Sequence, residues 1–369
     1  PWANGARINI GVYGGSKTAS KSPTNAALYL LSLNRGGVAS GQVALNWRAA
    51  GRATGHTVRV SMSTDDGASW TAIASGLQAK LGGILWNSYS LPSSPVSRWK
   101  VESEQQAGLA AVSERTFVLH NEPIRYYVND DSTDGDVWCA VSGASGHTGL
   151  SPSSPKRWAK EIVDTYDLEP GDIVYVDTGY YYFDTQTVFG DLDAGAISQD
   201  PSQQMTLQGS TNMAFGGSKF VAADPELTSF VLNETYGIRL RNLDVSGALN
   251  GLWAQNSIYV AGDWLSVRGG SNGVLATASS NVVLQHCAFV DNYEAGIQFS
   301  HPGTLTINFC VLWSNKYALR LDQGRASVEN SILGMMRPES CGYFYRTDRL
   351  ETSLGANYNN LFVAGTDAA

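Results

Sequence analysis

A weak internal repeat between Gly237 and Gly334 constrains the fold of this chain more than any other feature of its sequence. A small residue returns at spacings of 22, 23 and 22, at Gly251, Gly273, Gly296 and Ala318. A second column, of turn residues spaced 22, 23 and 23, precedes it at Gly247, Gly269, Asn292 and Asn315. Because a unit this short cannot bury its own apolar face, it must stack on its neighbours as a solenoid.

The repeat unit favours a parallel β-helix over a leucine-rich repeat or a propeller. No helical apolar period fits within the unit, and the unit is too short for a four-stranded blade. Gly and Asn tolerate left-handed backbone, so their recurrence marks corners between sheets. Alternation predicts one inward side chain on the strand after each small residue, namely Leu252, Val274, Ile297 and Leu319. Trp264 and Leu265 compete for one inward position, which leaves the register there ambiguous by one residue.

The composition suits an all-β, turn-rich protein. The chain has 369 residues, which predicts two units, and its 39 Gly and 10% aromatic residues favour turns and strands. A net charge of −8 without a basic patch argues against a nucleic-acid partner. No apolar run reaches the length of a membrane helix, so we expect no membrane span.

The chain contains four cysteines, Cys139, Cys287, Cys310 and Cys341. None forms a CxxC pair, which argues against a zinc site and against a disulfide-dense scaffold. Cys287 and Cys310 lie 23 residues apart and should therefore stack on adjacent coils. A disulfide bond and two buried free thiols both remain open for this pair.

Residues 24–121 predict a small β-sandwich. Alternating strands at 42–47, 56–61, 97–102 and 115–119 are separated by Gly, Ser and Pro clusters. This segment resembles immunoglobulin-like or fibronectin type III modules. Within it, residues 63–70 fit the Asp-box pattern S-x-D-x-G-x-[ST]-W, in which Asp65 and Gly67 would form a tight turn above Trp70. We interpret the motif as structural.

Residues 1–23 contain one short apolar strand, which Gly14 and Gly15 follow. They resemble the closing segment after the last coil of bacterial secreted β-helix modules. The resemblance implies that this segment closes a preceding β-helix or forms a contact strand between units. The sequence starts at Pro1 without an initiator Met, which suggests an excerpt of a longer or processed protein. We expect that protein to be extracellular or on the cell surface.

Residues 122–369 open with the one amphipathic helix that the sequence predicts. Trp158, Ile162 and Tyr166 recur at i, i+4 and i+8, which indicates a helix over about 155–167 with Ser154 as its N-cap. The helix precedes a strand with the sequence LEPGDIVYVDTGYY. This block resembles the opening of right-handed parallel β-helices of the pectin-lyase-like superfamily. The resemblance implies that the helix plugs the end of the cylinder.

The predicted fold class is therefore all-β. It comprises a right-handed parallel β-helix with an N-terminal capping helix, preceded by an immunoglobulin-like β-sandwich. The repeat loosens after Gly334, which predicts a loop over 335–355 before the rhythm returns at 357–363. The β-helix is expected to be incomplete at its C-terminus.

Two surfaces of the β-helix are candidates for function. The first is an outward strand face on which an aromatic ring beside polar groups could stack on a sugar, formed by Trp253, Gln298, Arg320 and Asp322. An ordinary solvated face is the alternative. The second is a catalytic set of basic residues with one acid, like those with which polysaccharide lyases of this fold abstract a proton, comprising Lys316, Arg320, Arg325 and Glu294.

An acidic loop precedes the helix and contains Asp130, Asp131, Asp134 and Asp136. These carboxylates could bind Ca²⁺, or they could form an ordinary acidic turn. We expect no other cofactor.

Two functional hypotheses follow. One is a structural or adhesive module of a large exported surface or filament protein, with further copies of itself as end-to-end partners. The other is a carbohydrate-active enzyme resembling a polysaccharide lyase, or a carbohydrate-binding β-helix, with a polysaccharide as partner. The fold itself does not decide between them, because it hosts lyases, hydrolases, esterases and adhesins.

Overall fold

A computed structural model describes residues 25–190, 193, 195, 200–337, 339–345 and 352–363. The predicted closing segment, 1–23, lies outside these residues. The chain divides into two compact units, Pro1–Glu122 and Pro123–Ala369.

Nine strands build the described part of the first unit: β1 (Ala27–Leu30), β2 (Val38–Ala39), β3 (Gln42–Ala50), β4 (Thr57–Ser63), β5 (Thr71–Gln78), β6 (Gly83–Asn87), β7 (Ser94–Ser103), β8 (Ala110–Val112) and β9 (Phe117–Leu119). Three short 3₁₀ helices connect some of them, at Gly51–Gly55, Ala79–Leu81 and Ser88–Ser90. One sheet has the order β1-β3-β6, and the other has the order β2-β9-β7-β4-β5 with β8 beside β7.

Residues of both sheets share one hydrophobic core. Along β3, burial alternates, so that Val43, Leu45 and Trp47 point inward. The indole N–H of Trp47 donates to the carbonyl of Ala79 at 2.9 Å, which satisfies a polar group that burial removes from water. The fully buried Trp99 on β7 belongs to the same cluster. The likeness to immunoglobulin or fibronectin modules stays a prediction.

The Asp-box forms the turn between β4 and β5. Asp65 accepts hydrogen bonds from the backbone N–H of Ser69 at 2.8 Å and from the hydroxyl of Ser63 at 2.7 Å. These bonds, led by those of Ser69, lower the pKa of Asp65 to about 2. Gly67 has a φ of +90° above the half-buried Trp70, as the structural interpretation of the motif requires.

Twenty strands build the described part of the second unit: β10 (Arg125–Val128), β11 (Ile173–Val176), β12 (Gly179–Phe183), β13 (Thr187–Phe189), β14 (Met205–Gly209), β15 (Ser218–Ala222), β16 (Phe230–Asn233), β17 (Ile238–Ser246), β18 (Asn250–Gln255), β19 (Ile258–Arg268), β20 (Asn272–Thr277), β21 (Ser280–Gln285), β22 (Ala288–Val290), β23 (Ala295–Asn308), β24 (Val311–Trp313), β25 (Tyr317–Glu329), β26 (Ile332–Met335), β27 (Cys341–Tyr345), β28 (Ser353–Asn357) and β29 (Asn360–Val363). Helix α1 spans Ala159–Thr165, and 3₁₀ turns lie at Pro201–Gln203 and Met213–Phe215.

These strands pair in parallel as three faces of a coil, which confirms the predicted parallel β-helix. Sheet A comprises β10, β11, β14, the first half of β17 and of β19, β21, the second half of β23 and of β25, and β28. Sheet B comprises β12, β15, the second half of β17 and of β19, β22, β24, β26 and β29. Sheet C comprises β13, β16, β18, β20, the first half of β23 and of β25, and β27.

The core of the coil follows the predicted columns. Leu252, Val274, Ile297 and Leu319 are in register on sheet C and are at most 1% exposed. The ambiguity on β19 is resolved, because Leu265 is buried whereas Trp264 is 55% exposed at a corner with a φ of +56°.

Left-handed residues occupy the corners, and one predicted column is wrong by one residue. Between sheets B and C the residues with positive φ are Gly247, Gly269, Asp291 and Ser314. The predicted corner residues Asn292 and Asn315 instead lie one position later and are buried. The sequence misleads here because Asn tolerates left-handed backbone as Gly does. In this coil the side-chain amides of Asn292 and Asn315 instead form hydrogen bonds in the interior.

Two cysteines stack on adjacent coils, as their spacing predicts. Cys287 and Cys310 are buried free thiols, and the sulfur of Cys310 accepts a hydrogen bond from the backbone N–H of Cys287 at 3.4 Å. Cys139 and Cys341 are also free.

The capping helix exists but is shorter than predicted. It spans Ala159–Thr165 instead of about 155–167, and Ser154 is not its N-cap. Glu161 caps the start, because its carboxylate accepts from the backbone N–H of Trp158 at 3.3 Å. Ile162 is fully buried against the first coil, and Tyr166 packs on Tyr126 with ring centroids 5.2 Å apart. Within the described residues, no helix has the length and apolar character needed to cross a bilayer.

The predicted loop at 335–355 is wrong in part. β27 lies inside it and continues sheet C in register with β25, while residues 346–351 lie outside the description. The last described coil exposes apolar side chains. Leu361 is 57% exposed although Leu333, its partner in register on the preceding coil, is fully buried.

Candidate functional site

The predicted ligand face lies on sheet C. Register places Trp253, Leu275, Gln298 and Arg320 in one outward column. The indole of Trp253 is half-buried, and its N–H donates to the hydroxyl of Thr277 at 3.0 Å. Two strand steps of roughly 4.8 Å each separate Trp253 from Gln298, so the aromatic ring and the polar residues are aligned but are not adjacent.

The polar part of this face is occupied by its own hydrogen bonds. Asp322 accepts from Gln298 Nε2 at 2.9 Å, from Ser300 Oγ at 3.0 Å and from Arg320 Nε at 3.2 Å. Such a carboxylate holds its neighbours rigidly. A ligand would have to replace these bonds to bind here.

The predicted catalytic residues do not converge. Lys316 pairs with Glu294 at 3.1 Å, whereas Arg320 pairs with Asp322. Lys316 and Arg320 are four residues apart along extended chain, which separates their Cα atoms by roughly 13 Å. Arg325 lies exposed beyond the bulge between β23 and β25, on sheet A. The two ion pairs therefore face different parts of the surface, and no shared position for a uronate carboxylate results.

The acidic loop before α1 is organised by hydrogen bonds to backbone N–H groups of the loop itself and of β12. Asp130 accepts from the backbone N–H groups of Ser132 and Tyr180, each at 2.8 Å. Asp131 forms an ion pair with Arg157, and Asp134 is exposed. Among the residues that the structure describes, no group of three or more His, Cys, Asp or Glu side chains is arranged to hold a metal ion. The Ca²⁺ hypothesis therefore gains no support from the geometry.

Asp136, the fourth acidic residue, lies deeper than the others. Its Oδ2 accepts from Asn129 Nδ2 at 2.6 Å, while Oδ1 is buried and has no hydrogen-bond partner among the described residues. Burial, together with the nearby carboxylate of Asp177, raises the pKa of Asp136 to about 6. Asp177 itself accepts from three successive backbone N–H groups, those of residues 137–139, at 2.6 to 2.8 Å.

Sequence reasoning missed an aromatic surface that lies beside this loop. On β12, burial alternates along Gly179–Phe183, so Tyr181 and Phe183 enter the core. Tyr180 and Tyr182 therefore point outward and are 50% and 60% exposed, with their rings 6.2 Å apart and 15° from parallel. The tyrosines that alternate after the predicted strand could have indicated this exposed aromatic surface.

These tyrosines line a groove with residues from the start of α1. A cavity of about 410 Å³, here called the aromatic groove, is lined by Asp130, Asp131, Arg157, Trp158, Tyr180 and Tyr182. An adjoining cavity of about 230 Å³ shares Trp158 and Tyr182 and extends along α1. Trp158 was predicted as part of the apolar stripe of the helix, but it lies at the N-cap and is half-buried.

Charged groups of opposite sign border the aromatic groove. The guanidinium of Arg157 lies 5.4 Å from the ring centroid of Trp158 while it pairs with Asp131. Lys219 Nζ lies 4.7 Å from the ring centroid of Tyr180 and 3.1 Å from its hydroxyl. Aromatic faces, carboxylates and cations thus meet in one concave surface, a combination typical of sites for small polar ligands.

Comparison with known proteins agrees with the topology. The family described as right handed beta helix region matches residues 205–333. The fold of the second unit is accordingly a right-handed parallel β-helix, as predicted. A comparison with curated proteins finds no match. Among solved structures, the chain is similar to an alginate lyase from Paenibacillus sp. str. FPU-7, with 12% identity over 56% of this chain and 96% of that chain and a TM-score of 0.37. A likeness of this strength carries no argument about activity.

Proposed function

We propose that the β-helix unit is a non-catalytic carbohydrate-binding module of an exported or cell-surface protein. The observation that carries the proposal is the aromatic groove, a cavity of about 410 Å³ that Trp158, Tyr180 and Tyr182 line. Pyranose rings present apolar C–H faces that pack on aromatic rings, while their hydroxyl groups need polar partners. The groove offers both.

The charges of the groove support binding of sugars without strong net charge. Arg157 is neutralised by Asp131, and Lys219 is engaged with the ring and hydroxyl of Tyr180. Asp130 uses both carboxylate oxygens to hold backbone N–H groups. The two cations, Arg157 and Lys219, are matched in number by the carboxylates of Asp130 and Asp131, so a uronate would gain no net electrostatic attraction there. A neutral sugar could accept and donate hydrogen bonds at the groove's rim.

The binding hypothesis is favoured over a lyase because the candidate acids and bases of sheet C are committed to one another. Glu294 pairs with Lys316, and Asp322 accepts three hydrogen bonds. General acid–base chemistry needs a group poised to take or give a proton at the substrate. Neither pair offers one.

Affinity electrophoresis tests the proposal. The protein is run through native gels that contain hydroxyethylcellulose, xylan, galactomannan, alginate or polygalacturonate. We expect retardation by at least one neutral polysaccharide, and we expect Tyr180→Ala and Tyr182→Ala each to weaken it about tenfold, or about 1.4 kcal/mol. Tyr293→Ala is the matched control, because Tyr293 is 66% exposed on the same unit but lies outside the groove.

Two results would contradict the proposal. Migration that no polysaccharide alters would remove the binding function. Release of unsaturated uronate ends from alginate or polygalacturonate, abolished by Arg320→Ala, would instead establish the lyase hypothesis.

A second candidate function is structural or adhesive assembly through coil ends. It is supported by the exposed apolar edge of the last described coil, where Leu361 and Val363 are 57% and 69% exposed. Stacking of another coil, from any source, would cover these side chains. If copies of this chain are the source, light scattering should show mass that increases with concentration, and Leu361→Asp should abolish the increase. A mass independent of concentration would contradict self-assembly.

A further inference from the structure

The aromatic groove occupies one end of a longer outward face on sheet B. Register along this sheet places Tyr180 beside Lys219, Lys219 beside Asp244, and Asp244 beside Ser266. The four residues therefore form one column that runs across the strands, parallel to the axis of the solenoid. Three strand steps of about 4.8 Å separate Tyr180 from Ser266, which amounts to roughly 14 Å.

A second cavity opens at the far end of this column. It has a volume of about 460 Å³ and includes Asp244, Ser266 and Trp264 among its lining residues. Its opposite wall comes from the loop that precedes β15, where Met213 is 71% exposed. We call it the Trp264 cavity. Lys219, between the two cavities in the column, contacts Tyr180 in the aromatic groove.

Trp264 borders this cavity because an aromatic stack ends there. Trp264, His286 and Phe309 occupy successive corners between sheets A and B, and each has a positive φ. The rings of Trp264 and His286 are 4.7 Å apart and 7° from parallel, and those of His286 and Phe309 are 5.4 Å apart and 3° from parallel. The preceding corner holds Asn242, which also lines the cavity. One face of the indole is therefore held in place by the ring of His286, and its exposed part borders the cavity.

The polar group best placed for a ligand in the Trp264 cavity is Asp244. Its Oδ2 pairs with Arg268, which neutralises its charge. Its Oδ1 is buried and has no hydrogen-bond partner among the described residues. A buried acceptor without a donor is costly, so Asp244 would gain if its carboxylate turned this oxygen toward a ligand hydroxyl in the cavity. An aromatic surface beside a carboxylate that pairs with an arginine thus occurs at both the aromatic groove and the Trp264 cavity.

We infer that the aromatic groove and the Trp264 cavity are two subsites for one extended neutral glycan, which lies along the solenoid axis across β12, β15, β17 and β19. The inference rests on the proposed carbohydrate-binding function and adds the length and direction of its ligand. Sugar units of an extended chain advance by about one strand spacing, so one chain could place successive rings along the column. Around the column, the cations Arg157, Lys219 and Arg268 are matched in number by the carboxylates of Asp130, Asp131 and Asp244, and this balance of charge favours an uncharged chain.

Isothermal titration with β-1,4-linked oligosaccharides tests this. Cello-, manno- and chito-oligosaccharides of two to six units are titrated into the wild-type chain. Binding energy from a second subsite adds to the first within one ligand, so affinity should increase at least about tenfold between the dimer and the longest chains. Trp264→Ala should remove this increase and leave dimer binding unchanged, whereas Tyr180→Ala should weaken every length.

Phe309→Ala is the matched control. Phe309 ends the same ring stack and is similarly exposed, at 52%, but it does not line the Trp264 cavity. It should preserve the length dependence. The two-subsite inference would be overturned if affinity still increased with chain length in Trp264→Ala, or if Phe309→Ala lost this increase equally. Dimer binding in that case would still support the aromatic groove as a binding site. Absence of binding at all lengths and to all polysaccharides would overturn the proposed function, and the inference with it.

Discussion

Asn292 and Asn315 stack on adjacent coils inside the solenoid, and the side-chain oxygen of Asn315 accepts from both the backbone N–H and the amide of Asn292, each at 2.9 Å. The amide of Asn315 donates to the carbonyl of Phe289 at 2.8 Å. Both side chains are at most 2% exposed. The pair thus satisfies backbone groups at a buried corner that strands alone leave unpaired.

Replacement of Asn315 should therefore be costly. Asn315→Ala removes the partner of two buried donors, both on Asn292, and of the carbonyl of Phe289. The free energy of unfolding is expected to fall by about 1–3 kcal/mol per unsatisfied group. Urea unfolding followed by circular dichroism measures the change. Thr304→Ala, which removes an exposed hydrogen bond to Asn281, should cost less than about 0.5 kcal/mol. Equal effects of the two substitutions would show that the buried pair is not stabilising.

Much of the solenoid could be predicted because a weak signal recurs on each coil. The inward set around Leu252 and the strand at 173–176 follow from alternation and spacing alone, and the latter coincides with β11. The prediction that Asn292 is a corner residue was wrong, since Asn suits both a left-handed corner and a buried ladder of hydrogen-bonded side chains. Only the three-dimensional register shows that Asp291 takes the corner.

The candidate groove was harder to predict because it joins separate segments. Trp158 looked like a residue of an apolar helix stripe, and the tyrosines of β12 looked like an ordinary strand. The helix starts four residues later than Pro155, and this shift leaves Trp158 at the N-cap, at the edge of the groove. Alternation along the strand predicts that Tyr180 and Tyr182 are exposed, but the sequence does not show that they lie near Trp158.

The register of β19 gives a second prediction. Leu265 is 1% exposed whereas its neighbour Trp264 is 55% exposed. Leu265→Ala should lower the free energy of unfolding by about 2–5 kcal/mol through the cavity it leaves, and Trp264→Ala should lower it by less than about 1 kcal/mol despite its larger side chain. Parallel urea titrations compare them. A larger loss from Trp264→Ala would mean that the register is shifted by one residue.

The buried carboxyl of Asp136 predicts a dependence of stability on pH. Its folded-state pKa, about 6, is above the ordinary value of 3.8, because burial and then Asp177 disfavour its charged form. The folded chain therefore binds this proton more tightly than the unfolded chain, so stability falls as the pH rises from about 4 to about 6.

Asp136→Asn removes this proton and should keep the bond that Asn129 donates. The stability of the variant relative to wild type should therefore increase as the pH is raised through the window between about 4 and about 6, and then level off. Urea midpoints at several pH values measure it. Asp134→Asn, at an exposed position of the same loop, is the control and should give no such trend. A difference between Asp136→Asn and wild type that is constant with pH would contradict the raised pKa.

Gly179 gives the last prediction, because it couples the acidic loop to the aromatic groove. A Cβ added there would lie 2.1 Å from Oδ2 of Asp130, the same oxygen that accepts from the backbone N–H of Tyr180, and the φ of Gly179 is +152°. Residues with a side chain rarely adopt this backbone conformation, and the added carbon would occupy the space of the Asp130 carboxylate. Gly179→Ala should therefore displace Asp130 and Tyr180 together, and weaken polysaccharide retardation about as much as Tyr180→Ala. Gly146→Ala, where nothing lies within 4 Å of the added carbon, is the control. Unchanged retardation by Gly179→Ala in a folded protein would show that the position of Tyr180 does not depend on Asp130.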